Sequence, residues 1–184
     1  KILAYLFHPA KSKEDVLEQA KIILDTPADI IEWRMDWFEQ VENTASVVEM
    51  AKELREVFKE TPVLATFRSK KEGGELEVST EYYVELNCAV AKSGYVDAVD
   101  VELYTGDKEV ETIVTTAHVN GVKVIMSNHD FFKKQNKKER KRRGEKVASP
   151  FFSRKILIFL PGCFDKEIQV WYTERWLFHQ SEAL

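Results

Sequence analysis

Short aliphatic and β-branched runs alternate with longer segments of helical periodicity along the first two-thirds of the chain. ILAYLF (Ile2–Phe7) reads as a strand, and KEDVLEQAKIIL (Lys13–Leu24) as a helix with apolar residues at helical spacing. DIIEWRMD (Asp29–Asp36) predicts the second strand, and TASVVEMAKELREVFK a helix with Thr44 as N-cap. PVLATFR (Pro62–Arg68) is the third strand; STEYYVELNCAVAKSG is a helix opened by Ser79 or Thr80 and stopped by Gly94. VDAVDVEL (Val96–Leu103) is the fourth, a helix follows from Asp107 to Asn120, and VKVIMSN (Val122–Asn128) is the fifth. Five β/α repeats with short connections require parallel strands covered by helices, in an open sheet or a barrel.

Polar residues gather at the C-terminal ends of these strands, which favours a barrel, because that is where β/α barrels carry their chemistry. Glu32, Arg34 and Asp36 end the second strand, Arg68 the third, Glu102 the fourth, and Asn128, His129 and Asp130 the fifth. No glycine fingerprint follows the first strand and no Walker motif occurs, so a nucleotide site gains no support.

With 184 residues the chain can bury one sizeable core, and residues 1–184 are read as a single domain. A net charge of -4 argues against a protein held to nucleic acid or acidic lipid by its overall field. The charge is unevenly spread: residues 1–132 hold 14 Lys+Arg and 25 Asp+Glu, residues 133–184 hold 13 and 6. Most of the reversal is the run Lys133–Lys146, with nine basic residues and no aromatic to stack a base, so a solvated charged face is preferred over a nucleic-acid site. Cys88 and Cys163 make no disulfide framework or zinc spacing, which fits a reducing, cytoplasmic setting. No apolar run approaches the ~20 residues of a membrane span and no signal peptide opens the sequence, so no membrane association is expected.

In EWRMD the alternation of a strand puts Glu32, Arg34 and Asp36 on one side, where three charges must pair internally or meet a ligand. TFRSKKEGGE ends a strand in Arg68 and supplies Glu72 before two glycines that permit a sharp turn. His129 is the best candidate for proton transfer, with Glu72 or Glu102 to orient it; His8, His118 and His179 have poorer surroundings. Two arginines with a His and a Glu suggest a small anionic substrate and acid–base chemistry without a metal.

EWRMD, TFRSKKEGGE, STEYY, VDVELYTGD and VKVIMSNHDF occur in order between Ile2 and Phe131, and together they resemble type I 3-dehydroquinate dehydratase. The resemblance implies a (β/α)8 TIM barrel that dehydrates 3-dehydroquinate to 3-dehydroshikimate in the shikimate pathway, through a lysine Schiff base and with no cofactor. It implies that His129 is the general acid/base, that Glu72 orients it, and that Glu32, Arg34 and Arg68 bind substrate. The Schiff-base lysine of the family opens the sixth strand in a Pro-Lys-Ile context; SRKILIFLPG offers Lys155, whose alternative reading is a solvated lysine at a strand start. A homodimer is the expected assembly, with the small-molecule substrate as partner and neither membrane nor nucleic acid.

Beyond about residue 131 the pattern diverges, so the barrel is expected to be incomplete, with about six β/α units and residues 132–184 unlike the family. Codons permitted for Trp171 to Leu184, shifted by one frame, can spell Val-Tyr-Gly-Thr-Val-Ala-Phe-Ser-Ser, which resembles the family's late barrel; a deletion with a frameshift is the expected cause. An unclosed barrel leaves strand edges unpaired, which predicts low stability or oligomerisation and weak turnover. The alternative function is an inactive barrel fragment that binds a partner.

Overall fold

A computed structural model describes residues 4–6, 10–129 and the backbone of 155–159. The order is β1 (Ala4–Leu6), α1 (Lys13–Leu24), β2 (Ile30–Arg34), α2 (Thr44–Phe58), β3 (Val63–Thr66), α3 (Thr80–Lys92), β4 (Ala98–Glu102), α4 (Asp107–Val119), β5 (Lys123–Asn128) and β6 (Lys155–Phe159). The strands form one sheet in sequence order, and β1 to β5 pair in parallel. The result is a five-stranded parallel α/β sheet that does not close among the described residues.

Helices α1, α2 and α3 each start where a side chain replaces the missing helical acceptor, whereas α4 starts at Gly106 without one. Ser12 and Asp15 form a capping box at α1, Ser79 accepts from the Tyr82 N–H at α3, and α2 is capped by Asn43, whose Oδ1 accepts from the Ser46 N–H. The cap of α2 is therefore one residue earlier than Thr44, which is already helical.

Alternation along the strands divides the core into two faces. Ile31 and Trp33, Val63, Ala65 and Phe67, Val99 and Val101, and Val124 pack with the helices. The other parity starts with a small apolar layer, Leu64, Ala98 and Ile125 with Ile30 against them. Continuing on that parity toward the C-terminal strand ends come Glu32 and Arg34, Thr66 and Arg68, Asp100 and Glu102, and Ser127 and His129. One face of the sheet thus changes from apolar to polar within two residues along β2 to β5, and this change places the site.

Two features depart from the sequence reading. The second strand ends at Arg34, and Asp36 is carried by a short 3-10 turn, Met35–Trp37, that buries Met35 and Asp36 together. The direction of the sixth strand departs from the parallel pattern: β6 pairs antiparallel with β5, running from Asn128 opposite Lys155 to Val124 opposite Phe159. A parallel sixth strand needs a crossover with an apolar stripe to lie on the sheet, and Lys133–Lys146 contains no apolar residue except Gly144 to supply one. KILIF itself can pair in either direction. The basic run, His8, Asp130, Cys163, Pro161 and His179 lie outside the described residues.

Candidate active site

The exit of β2 is held by charge. Arg34 Nε donates to Asp36 Oδ1 and Nη2 to Oδ2, both at 2.6 Å, a two-pronged pair. The same carboxylate accepts the backbone N–H groups of Arg68 (3.3 Å) and Glu75 (3.2 Å), so Asp36 also ties β2 to the loop after β3. Glu32 is buried two residues earlier, on the same face.

That loop aims Glu72. After Arg68 the chain makes a 3-10 turn, Lys70–Glu72, ended by Gly73 at a left-handed φ of 86°. Gly74 then packs so close to the chain that a Cβ would lie 1.8 Å from the Arg68 carbonyl oxygen. The turn folds back so that Ser69 bridges to Leu76, and Glu72 is buried facing the end of β5.

There Glu72 meets His129. Its Oε2 accepts the His129 backbone N–H at 2.9 Å and lies 3.0 Å from the imidazole Nδ1. An ionised carboxylate only accepts, so Nδ1 carries the proton of this contact. Burial pushes the Glu72 carboxyl above its ordinary value; the His129 N–H and Arg68 oppose that rise, and Asp100 adds to it. The other carboxylate considered for His129, Glu102, is engaged elsewhere: its Oε1 accepts from the Ser69 N–H at 2.8 Å and from Arg68 Nη1 at 3.3 Å. Burial raises Glu102 as well, with Ser69 and Arg68 opposing.

Arg68 lies buried in the middle of these groups. Nη2 donates to Asp100 Oδ1 at 2.8 Å, Nη1 donates to Ser127 Oγ at 2.8 Å, and Nη1 stands 3.6 Å from Glu72 Oε2. Burial disfavours its charge, but Asp100 and Glu102 outweigh that and raise it. Tyr83 of α3, packed edge-on against Phe67, closes the bottom of the cluster by accepting the Glu102 backbone N–H.

Of the residues singled out in the sequence, Glu32, Arg34, Arg68, Glu72 and His129 all lie at one end of the sheet. Lys155 stands opposite Asn128, the residue before His129, in the β5–β6 register, and the Lys155 side chain lies outside the described residues. Both arginines reach the site already paired with carboxylates. Asp36 was expected on this charged face, but Asp100 and Ser127 were not; the signal was their parity, since Asp100 is two before Glu102 and Ser127 two before His129 along the chain. Among the described residues no group of three or more His, Cys, Asp or Glu is arranged to hold a metal ion, and no helix is long and apolar enough to cross a membrane.

The sequence profile of the type I 3-dehydroquinase family matches residues 7–149. The 3-dehydroquinate dehydratase of Clostridioides difficile is 48% identical over 129 residues, which are 70% of this chain and 51% of that protein. The enzyme of the same name from Klebsiella pneumoniae is 50% identical over 123 residues, 67% of this chain and 49% of its own length. The chain spans about half the length of these relatives. The crystal structure of type I 3-dehydroquinate dehydratase from Clostridium difficile with covalently modified comenic acid superposes with a TM-score of 0.71 at 41% identity, covering 79% of this chain and 60% of that one. The structure of 3-dehydroquinate dehydratase from Enterococcus faecalis superposes with a TM-score of 0.70 at 30% identity, covering 78% and 62%. This chain belongs to the type I 3-dehydroquinase family.

Proposed function

We propose that the chain carries the acid–base half of a site that dehydrates 3-dehydroquinate to 3-dehydroshikimate through a Schiff base on Lys155. The observation that supports it most is the Glu72–His129 pair, with Nδ1 3.0 Å from the carboxylate that orients the ring. The lysine amine adds to the substrate ketone and one water leaves, forming an iminium. His129 takes a proton from the adjacent carbon, the electron pair moves into the iminium, and the resulting enamine expels the hydroxyl, to which His129 returns the proton. Water then hydrolyses the iminium and restores the amine, so the net change is loss of one water.

The charge of the described residues suits this path. Among the described residues Glu72, Asp100 and Glu102 gather around Arg68, and Asp36 compensates Arg34. An excess of buried carboxyl groups disfavours an unpaired anion and favours a positive intermediate such as an iminium. Arg34, Arg68 and Glu32 then serve substrate hydroxyls as oriented hydrogen-bond partners rather than as free charges. A homodimer is the assembly we expect, and sedimentation of the purified chain measures it.

Borohydride reduction in the presence of 3-dehydroquinate tests the reading. A stable adduct mapped by mass spectrometry to Lys155, absent in Lys155→Ala, is the expected result. A folded chain that forms no adduct, or forms one on another lysine, overturns it and favours a binding role.

A further inference from the structure

We propose that Asp100 and Ser127 are positioning residues that hold Arg68 away from Glu72 and so leave Glu72 to orient His129. The proposal rests on the dehydratase reading only for the reaction it serves; the geometry is independent of it. Ser127 Oγ–H donates to Asp100 Oδ1 at 2.7 Å, while Arg68 donates through Nη2 to the same Oδ1 and through Nη1 to Ser127 Oγ, each at 2.8 Å. All three residues are buried, and the contacts close a ring. A planar fork held at two points cannot rotate in its own plane.

Held in this way, Nη1 stops 3.6 Å from Glu72 Oε2, beyond hydrogen-bond distance. That oxygen is the one occupied by both the backbone N–H and Nδ1 of His129. Fork-to-carboxylate pairing is among the strongest side-chain contacts, so a guanidinium released from the ring is drawn onto Glu72 and competes with the imidazole for Oε2. The ring therefore sets a distance at which Arg68 still lends positive charge to Glu72 without taking its oxygen. Among the described residues the charged groups that face Glu72 are His129, Arg68, Asp100 and Glu102.

The test follows the His129 imidazole by NMR in the full chain, with its signal among four histidines identified by His129→Gln. Loss of the neighbouring charge in Glu72→Gln lowers the His129 titration midpoint by about one pH unit. Ser127→Ala and Asp100→Asn each lower it by about half a unit, and Ser127→Thr, which keeps the hydroxyl, restores it. In the Glu72→Gln background neither substitution adds a further shift, because its effect passes through Glu72.

An unmoved midpoint in a folded Ser127→Ala or Asp100→Asn chain overturns the proposal, whatever happens to the melting temperature. So does a shift that persists undiminished in the Glu72→Gln background, which is direct field alone. Either variant suffices if the other fails to fold. No turnover is needed: absence of the 3-dehydroquinate adduct with the shift pattern intact counts against the dehydratase reading alone.

Discussion

Replacing Asp36 by Ala asks whether charge or apolar packing holds the exit of the second strand. The Asp36 side chain is closed to solvent, and it receives four donors: two from Arg34, one from the Arg68 backbone and one from the Glu75 backbone. Its removal leaves Arg34, whose side chain is only 16% exposed, without its counter-ion, and leaves two backbone N–H groups without this acceptor. Deleting one partner of a buried pair costs about 3–5 kcal/mol, and an orphaned buried N–H about 1–3 kcal/mol. Arg34 retains some water and Glu75 lies in a partly exposed loop, so the lower part of that range applies and the expected loss is about 4 kcal/mol. A domain of ordinary stability has about 5–15 kcal/mol in total. Asp36→Asn keeps the shape and one acceptor and loses about half as much.

Urea unfolding at pH 7, followed by circular dichroism and extrapolated linearly, measures these differences. The sharper test is Arg34→Met in the Asp36→Ala background. If the cost comes from a stranded cation, removing that cation recovers at least about 1 kcal/mol. A loss below about 1 kcal/mol for Asp36→Ala, or no recovery with Arg34→Met, refutes the reasoning and leaves the strand exit to Trp33, Met35 and Phe38.

Burial raises the native carboxyl values of Glu72 and Glu102 above 4.5, so the folded chain binds their protons more tightly than the unfolded chain. Stability from these groups is therefore fully present below pH 4.5 and lost as pH rises through the raised values; the melting temperature falls over that window, and Glu102→Gln flattens the fall, whereas an unchanged slope contradicts the assignment. Gly74→Ala drives a Cβ into the Arg68 carbonyl, so we expect displacement of the Glu72 turn, seen as a changed His129 NMR signal, and a loss of about 2 kcal/mol or more by urea unfolding. At the opposite end of the sheet Arg55 donates to the carbonyls of Tyr95 (3.1 Å), Lys59 (2.6 Å) and Thr61 (3.1 Å) and pairs with Asp97. Arg55→Ala costs about 2 kcal/mol, mostly from the carbonyls, and 1 M salt leaves that cost largely intact, because the ion pair is partly exposed and screened.

The parallel sheet was legible because each strand and helix carries its own period. Val63–Thr66 and Ala98–Glu102 lie within their expected runs, and α1 matches its range. Direction was not legible for Lys155–Phe159, since an apolar five-residue run pairs either way and its orientation depends on what connects it. The exit of β2 was hidden for a different reason. EWRMD continues the alternation of a strand through Asp36, but Arg34 finds a better partner if the chain turns and brings Asp36 back to it.

At the site, residue types and strand ends identified the charged face, but they left the partner of His129 open between two carboxylates. Glu102 ends a strand, so its reach is fixed by the sheet, and it meets the Ser69 N–H beyond β3. Glu72 sits on a turn that two glycines allow to fold back, and only that freedom brings it to the end of β5. Arg68 was legible as a cation and not as a paired one, because the partners Asp100, Glu102 and Ser127 come from two strands distant in sequence. Period-two counting backward from Glu102 and His129 reaches Asp100 and Ser127, and a polar residue on that parity in a buried parallel strand has to be satisfied by something. Arg68 is what satisfies both. The same count that locates the charged face therefore also exposes the groups that neutralise it, provided it is carried one step further down each strand.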